Sequence, residues 1–155
     1  MNVLIVGCGR VGSRLAERLA RGDHQVSVVD ISRDAFGRID PSFPGATYQG
    51  SGTDPELLSR INVGNFDIVV ALTGGDNRNL MIAQMAKHQF GVQKVLARLH
   101  DPIRAARYRK YFGIETLCTT TVLEGLLELY VLKGAFPELP GEMSVAGDDS
   151  PLDMG

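Results

Sequence analysis

At 155 residues the chain has the length of one ordinary domain, enough to bury a core without disulfides or metals. Its 16 Lys plus Arg against 18 Asp plus Glu leave a net charge of −2, a balance that offers no support for a nucleic-acid or membrane-surface binder. Cys8 and Cys118 lack metal-ligand or C-x-x-C spacing, no signal-type segment opens the sequence, and no apolar run approaches the ~18 residues of a membrane span, so a soluble protein of a reducing compartment is expected.

Short apolar runs alternate with helical patterns from the first residue onward. "NVLIV" (Asn2–Val6) predicts a strand, and Arg10–Arg21 a helix with Val11, Leu15, Arg18 and Leu19 on helical spacing and a stop at Gly22-Asp23. "QVSVVD" (Gln25–Asp30) is the second strand; Ile31 to Ala46 reads mostly as loop with at most a short helix, and "ATYQG" (Ala46–Gly50) as the third strand. Asp54–Arg60 opens with an aspartate cap followed by Pro55, the chemistry of a helix start. A fourth strand at "DIVVAL" (Asp67–Leu72) leads to a helix over Asp76–Phe90 that stops at Gly91. "KVLARL" (Lys94–Leu99), a helix Pro102–Tyr111 ending before Gly113, "ETLCT" (Glu115–Thr119) and an amphipathic helix Thr121–Lys133 complete the pattern.

Continuously hydrophobic strands in strict alternation with helices imply a parallel sheet covered on both faces. The expected fold is a Rossmann-like, doubly wound α/β domain, six-stranded in the order 3-2-1-4-5-6, with its ligand crevice above strands one and four. The domain is assigned residues 1–134; the Pro-, Gly- and acid-rich segment 135–155 reads as a flexible acidic tail or linker.

Gly7, Gly9 and Gly12 form G-x-G-x-x-G between a predicted strand and a predicted helix, the context that a dinucleotide-binding loop requires. The first glycine makes the turn, the second admits a pyrophosphate to the backbone, and the third packs helix on strand, while the helix end supplies amide donors. Asp30 closes the second strand 18 residues after Gly12, where a carboxylate accepts from ribose hydroxyls and repels the 2′-phosphate of NADP. Arg33 is read as an outward-pointing helix residue. Arg10, beside the phosphates, makes best sense against extra phosphate charge, as in ADP or ATP; the alternative is a solvated first-turn arginine, which the helix dipole disfavours.

A dehydrogenase needs a proton-transfer group and a substrate pocket facing the nicotinamide. The structured length is almost wholly taken up by the nucleotide fold. His24 and His88 fall near helix–loop borders, and His100, closer to the crevice, has no apparent partner. No catalytic residue is therefore assigned. Cys8 reads as a small filler in the glycine loop, with redox sensing as the alternative.

Four ordered segments, "VLIVGCGRVGSRLAERLARGDHQVSVVD", "GSGTDPELL", "DIVVALTGGDNRNLMIAQMAK" and "KVLARLHDP", resemble the N-terminal RCK (TrkA-N) domain over roughly residues 1–133. This family is the nucleotide-binding regulatory module of Trk- and Ktr-type potassium uptake systems and of ligand-gated potassium channels. The resemblance implies a cytoplasmic gating subunit, peripheral to the membrane through a potassium-translocating partner, that assembles as dimers into a ring and responds to ATP, ADP or NAD(H). By this analogy Gly7, Gly9, Val11 and Gly12 form the phosphate loop and Arg10 reaches terminal phosphates. Asp30 holds the ribose with Ile31 beside it, Ser51 and Gly52 flank the adenine, Ala71 and Thr73 line the crevice, and Arg98 faces the phosphates. Each has a plainer alternative: Ala71 as core, Thr73 as a cap, Arg98 as the start of the solvated run Arg104, Arg107, Arg109 and Lys110.

Two positions depart from the family pattern. Ser51 stands where the G-D-x-T segment has an aspartate, which weakens the expected adenine contact, and Thr119–Thr121 carries no acidic residue to help place a divalent cation. The family often adds a smaller C-terminal ligand-binding domain, for which the residues after the last helix are too few. That helix (121–133) has apolar residues on both sides, Leu123, Leu126, Leu127, Tyr130 and Val131 with Leu129 and Leu132; they cannot all face one sheet, which favours a subunit interface over simple packing. Two other functions fit the residues: a small NAD-dependent oxidoreductase that borrows its substrate site from a partner, and an assembly module with a vestigial nucleotide site.

Overall fold

A computed structural model describes residues 1–137; most of the segment read as a tail, 138–155, lies outside the described residues. Six parallel strands, β1 (Asn2–Val6), β2 (Gln25–Asp30), β3 (Ala46–Gln49), β4 (Ile68–Ala71), β5 (Lys94–Leu99) and β6 (Glu115–Cys118), form one sheet in the order β3-β2-β1-β4-β5-β6. This is the expected doubly wound order, with its reversal between β1 and β4.

The apolar runs are continuous because alternate residues serve different layers. Leu4 and Val6 of β1, Val29 of β2 and Val69 and Ala71 of β4 enter one buried cluster with Leu57, Leu58 and Ile82 from the helices. Val3 and Ile5, Val26 and Val28, and Val70 enter a second cluster with Cys8, Ala16 and Ala35 on the opposite face. In the central strands β1 and β4 both faces are roofed and neither phase of the period-two pattern is left for polar residues, whereas β5 and β6 alternate toward the edge.

Helix α1 (Arg10–Arg21) carries the first correction. It packs through Gly12, Ser13 and Ala16, which are buried, whereas Val11 is exposed. Small residues let the helix approach the loop so closely that a Cβ on Gly12 would collide with the Gly7 carbonyl oxygen. The helix ends at Gly22, as expected, but the left-handed residue is Asp23 (φ 59°); aspartate tolerates that conformation better than most side chains.

The loop after β2 contains a 3-10 turn over Arg33–Arg38 that seats Ala35 in the core. Helix α2 (Pro55–Arg60) is capped by Asp54, whose carboxylate accepts from the Glu56 amide. The helix predicted over Asp76–Phe90 is α-helical only over α3 (Asp76–Gln84) and widens into a π-turn at Met85–Gln89 before Gly91 (φ 74°) turns the chain. The Val92 amide closes that end on the Ala86 carbonyl at 2.9 Å, one residue wider than a Schellman bond because the last turn is π. Helix α4 (Pro102–Phe112) starts at Asp101, which accepts from the Ile103 and Arg104 amides, and ends at Gly113 (φ 60°).

The chain divides into two compact units, Met1–Val122 and Leu123–Gly155. The boundary falls within the last helix, α5 (Thr119–Lys133), none of whose residues is buried. Within the second unit Tyr130 stacks on Phe136 at 4.8 Å. No helix among the described residues is long and apolar enough to cross a membrane.

Gly12→Ala is expected to cost about 1–3 kcal/mol, as overpacking against backbone generally does. Gly9→Ala, where an added Cβ meets nothing within 4 Å, should stay within about 0.5 kcal/mol of the parent; urea denaturation of the two variants measures the contrast.

Candidate functional site

The chain leaves β1 between two neighbours. The Gly7 amide donates to the Val29 carbonyl and the Leu72 amide to the Val6 carbonyl, each at 2.7 Å. Gly7 sits at φ 114°, and a Cβ there would lie 2.8 Å from the Leu72 carbonyl group, so only glycine fits. Gly9 then opens α1 with no side-chain cap. The first-turn amides of an uncapped helix have no partner within the helix and carry the positive end of its dipole.

Around this helix end lies a crevice at the carboxyl ends of the strands. One wall is Gly7 and Gly9, the second is Asp30 and Ile31, the floor is closed by Ser51 and Gly52, and the far wall is Thr73, Gly74 and Arg78. It encloses about 170 Å³, less than a typical small-molecule pocket of ~300–1,000 Å³, so a nucleotide would lie in it partly exposed. A larger concavity of about 910 Å³ runs along α1 from Arg10 to Arg18 with Arg38 at its side, and none of the strand residues lines it. The crevice rather than this groove has the topology of a ligand site, because it sits where the strand order reverses.

Asp30 does two things there. Its Oδ2 accepts from the Cys8 amide at 2.7 Å and its Oδ1 from the Ser32 amide at 2.8 Å, so the carboxylate ties the glycine loop to the end of β2. Each carboxylate oxygen has a further lone pair, which leaves acceptor capacity on the crevice side. Ser51 spends its hydroxyl locally, paired with the Thr53 hydroxyl at 2.8 Å and accepting from the Thr53 amide. Gly52 is required by space, since a Cβ there would run into Val6. Loop, helix end and carboxylate thus fit a ribose-phosphate group.

The remaining expected residues lie outside the crevice wall. Arg10 and Val11 line the outer groove of α1 with Arg14 and Arg38. Gly12 is buried against Gly7, and Ala71 is buried in the core beneath the site. Arg98 points its Nη2 onto the Thr73 carbonyl at 2.7 Å, with its Nε buried and without a partner.

Three groups escaped sequence reasoning. Asn79, fully buried on α3, accepts from the Thr73 amide (2.8 Å) and hydroxyl (2.7 Å) and donates to the Thr73 and Arg98 carbonyls. One amide side chain therefore fixes the ends of β4 and β5; an asparagine inside an otherwise helical run is its only trace in the sequence. Second, His100 does have a partner: its Nδ1 lies 2.9 Å from Asp76 Oδ1, and the His100 and Asp101 amides also donate to that carboxylate. Burial works against the Asp76 charge, but these hydrogen bonds outweigh it and hold the carboxyl below its usual range. The third is Arg78, a wall residue that no motif flags.

Cys8 is buried with its thiol on the Ala35 carbonyl at 3.3 Å. Burial, and then the nearby Asp30 charge, push it up to about 11, which is the behaviour of a filler rather than a reactive thiol. Among the described residues no cluster of His, Cys, Asp and Glu is placed to hold a metal ion.

The TrkA-N domain family profile matches residues 3–120. The chain is 37% identical over 138 residues to the Trk system potassium uptake protein TrkA of Streptomyces coelicolor, which covers 88% of this chain and 61% of that protein; the chain thus spans under two thirds of that relative's length. Among solved structures, the AMP-bound C-terminal domain of Kef from Shewanella denitrificans superposes with a TM-score of 0.69 at 20% identity, covering 87% of this chain and 83% of that one. The GsuK RCK domain superposes at 0.70 with 16% identity, covering 84% of this chain and 28% of that one. At such identities the structures share the fold.

Removal of the Asn79 side chain takes the partner from the Thr73 amide and a donor from the Arg98 carbonyl, while the Thr73 carbonyl keeps Arg98, so Asn79→Ala should lose roughly 1–3 kcal/mol in chemical denaturation. For Asp76 the folded-state value is depressed, so its contribution is complete above the unfolded-state value of ~3.9 and is lost as pH falls through the folded one. Asp76→Asn should accordingly lose less stability than the parent between about pH 5 and pH 3, measured by urea midpoints.

Proposed function

The chain belongs to the TrkA-N domain family, and we propose that it is the nucleotide-sensing part of a regulatory subunit that gates a membrane-embedded potassium transporter or channel. The observation that carries this reading is the uncapped end of α1 facing Asp30 across a glycine loop, with open space above Gly9. An adenine nucleotide, ATP, ADP or NAD(H), would lay its phosphate over Gly7 and Gly9 and its ribose against Asp30. Ile31, Ser51 and Gly52 would meet the adenosine, and Thr73 the far side. Arg10, exposed at the first helical turn, would reach outward to phosphate oxygens. The name of the Streptomyces relative supports potassium uptake as the process served.

The role is regulation and not turnover. Among the described residues that line the crevice, the ionisable side chains are Asp30, engaged by the Cys8 and Ser32 amides, and Arg78. The histidine near its strand ends, His100, lies outside that lining and is tied to Asp76. A ligand shifts the pore only through its different affinity for two assembly states, so the bound nucleotide must change how copies of this domain pack. Such a subunit works in the cytoplasm, held at the membrane by its pore partner, as dimers assembled into a ring. The exposed apolar residues of α5, among them Leu123, Leu127 and Val131, supply a face for that assembly.

Calorimetry with ATP, ADP, NAD and NADH tests the reading, which requires saturable binding of at least one of them. Gly9→Leu should lower that affinity at least ~10-fold by filling the phosphate position, and a thermal melt above the assay temperature separates that loss from the modest cost of replacing an N-cap glycine. Binding by none of the four, or undiminished binding by Gly9→Leu, would refute it.

A further inference from the structure

The charge around the crevice is asymmetric in a way the glycine motif does not require. Of the side chains that line it, two are charged, and they stand on different walls: Asp30 at the end of β2 and Arg78 on the first turns of α3. Arg78 is exposed, and no hydrogen bond or ion pair engages it among the described residues. Its guanidinium lies over the helix start, with Nη2 3.8 Å from the point a Gly75 Cβ would occupy. Helix α3 begins at Gly75 without a side-chain cap, so a second set of unpaired helix-end amides opens on the same side. Asp76, the acidic residue of that turn, is turned to His100 and the two amides following β5. Arg98, the other arginine near this wall, is committed to the Thr73 carbonyl.

We propose that Arg78 is a specificity-determining residue that binds the terminal phosphate of a nucleoside di- or triphosphate in this crevice. The inference rests on the nucleotide reading above and goes further in naming which end of the ligand is read, and by what. A ligand whose ribose lies on Asp30 and whose first phosphate lies on the Gly7–Gly9 loop extends next toward Thr73, Gly74 and Arg78. A free terminal phosphate arriving there carries close to two negative charges and meets a guanidinium able to bind it bidentately. AMP has no group that reaches so far. NAD places a ribose and a cationic nicotinamide there, which a fixed positive charge repels. Arg78 thus favours ADP and ATP over AMP and over oxidised NAD. Arg10 is not among the residues that line this wall; its side chain borders the outer groove of α1, on the other side of the phosphate loop.

The test is calorimetric titration of the full chain, as parent, Arg78→Ala and Arg78→Lys, with AMP, ADP, ATP and NAD, at low and at raised salt. Arg78→Ala should lose roughly 10- to 100-fold in ADP and ATP affinity, the scale of a charge-assisted hydrogen bond, while AMP changes less than about 2-fold. NAD affinity should hold or rise. Arg78→Lys should recover part of the ADP and ATP affinity, since it restores the charge and not the fork. The salt dependence of ADP binding should flatten in Arg78→Ala only. An unchanged ADP-to-AMP ratio in Arg78→Ala, or equal losses for AMP and ADP, overturns this proposal and leaves the nucleotide reading standing. Failure of the parent to bind any of the four overturns both.

Discussion

The contact between Gly12 and the carbonyl of Gly7 governs the rest of the site. Because no Cβ fits between them, α1 rests directly on the turn that leaves β1, and its first-turn amides are delivered to the carboxyl end of the sheet. Gly7 can make that turn because it occupies a positive φ in contact with the Leu72 backbone. The hydrogen bonds from the Gly7 amide to Val29 and from the Leu72 amide to Val6 then hold the loop between β2 and β4. A side chain at either glycine would move the helix end away from the reversal point, where an anion gains most from it.

Asp30 is best understood within that arrangement. In a sequence it is a ribose ligand at the right spacing, and in the fold it is first a clamp on the Cys8 and Ser32 amides. The same carboxylate that would recognise a ligand also shapes the loop the ligand lies on, so binding and loop order are linked. On the other side of the crevice Asn79 has the corresponding duty, tying Thr73 to the end of β5. Both walls are therefore set by buried or half-buried hydrogen bonds before any ligand arrives, which lowers the ordering cost of binding.

Much of this was legible in the chain because it follows from local rules. The apolar runs give the strands, since a strand roofed on both faces has no polar phase, and Pro55, Pro102, Asp54, Asp101, Gly91 and Gly113 mark helix ends through their own backbone chemistry. Val11 misled because helical spacing says which residues share a face and not which face turns inward; here the small residues Gly12, Ser13 and Ala16 do. Of the expected site residues, Gly7, Gly9, Asp30, Ile31, Ser51, Gly52 and Thr73 meet around one crevice. Arg10, Val11, Gly12, Ala71 and Arg98 take positions beside or beneath it.

What the sequence determined by itself is the order of the elements, the sheet that alternation demands and the glycine loop, all of which depend on neighbours a few residues apart. Tertiary structure alone decided that His100 is tied to Asp76, that Asn79 joins two strands, and that Arg78 faces Asp30 across the crevice. These pairings bridge separations such as the 24 residues between Asp76 and His100. They are created where α3 and the strand ends converge, and a side chain's partner there depends on the packing of the sheet and not on any spacing along the chain.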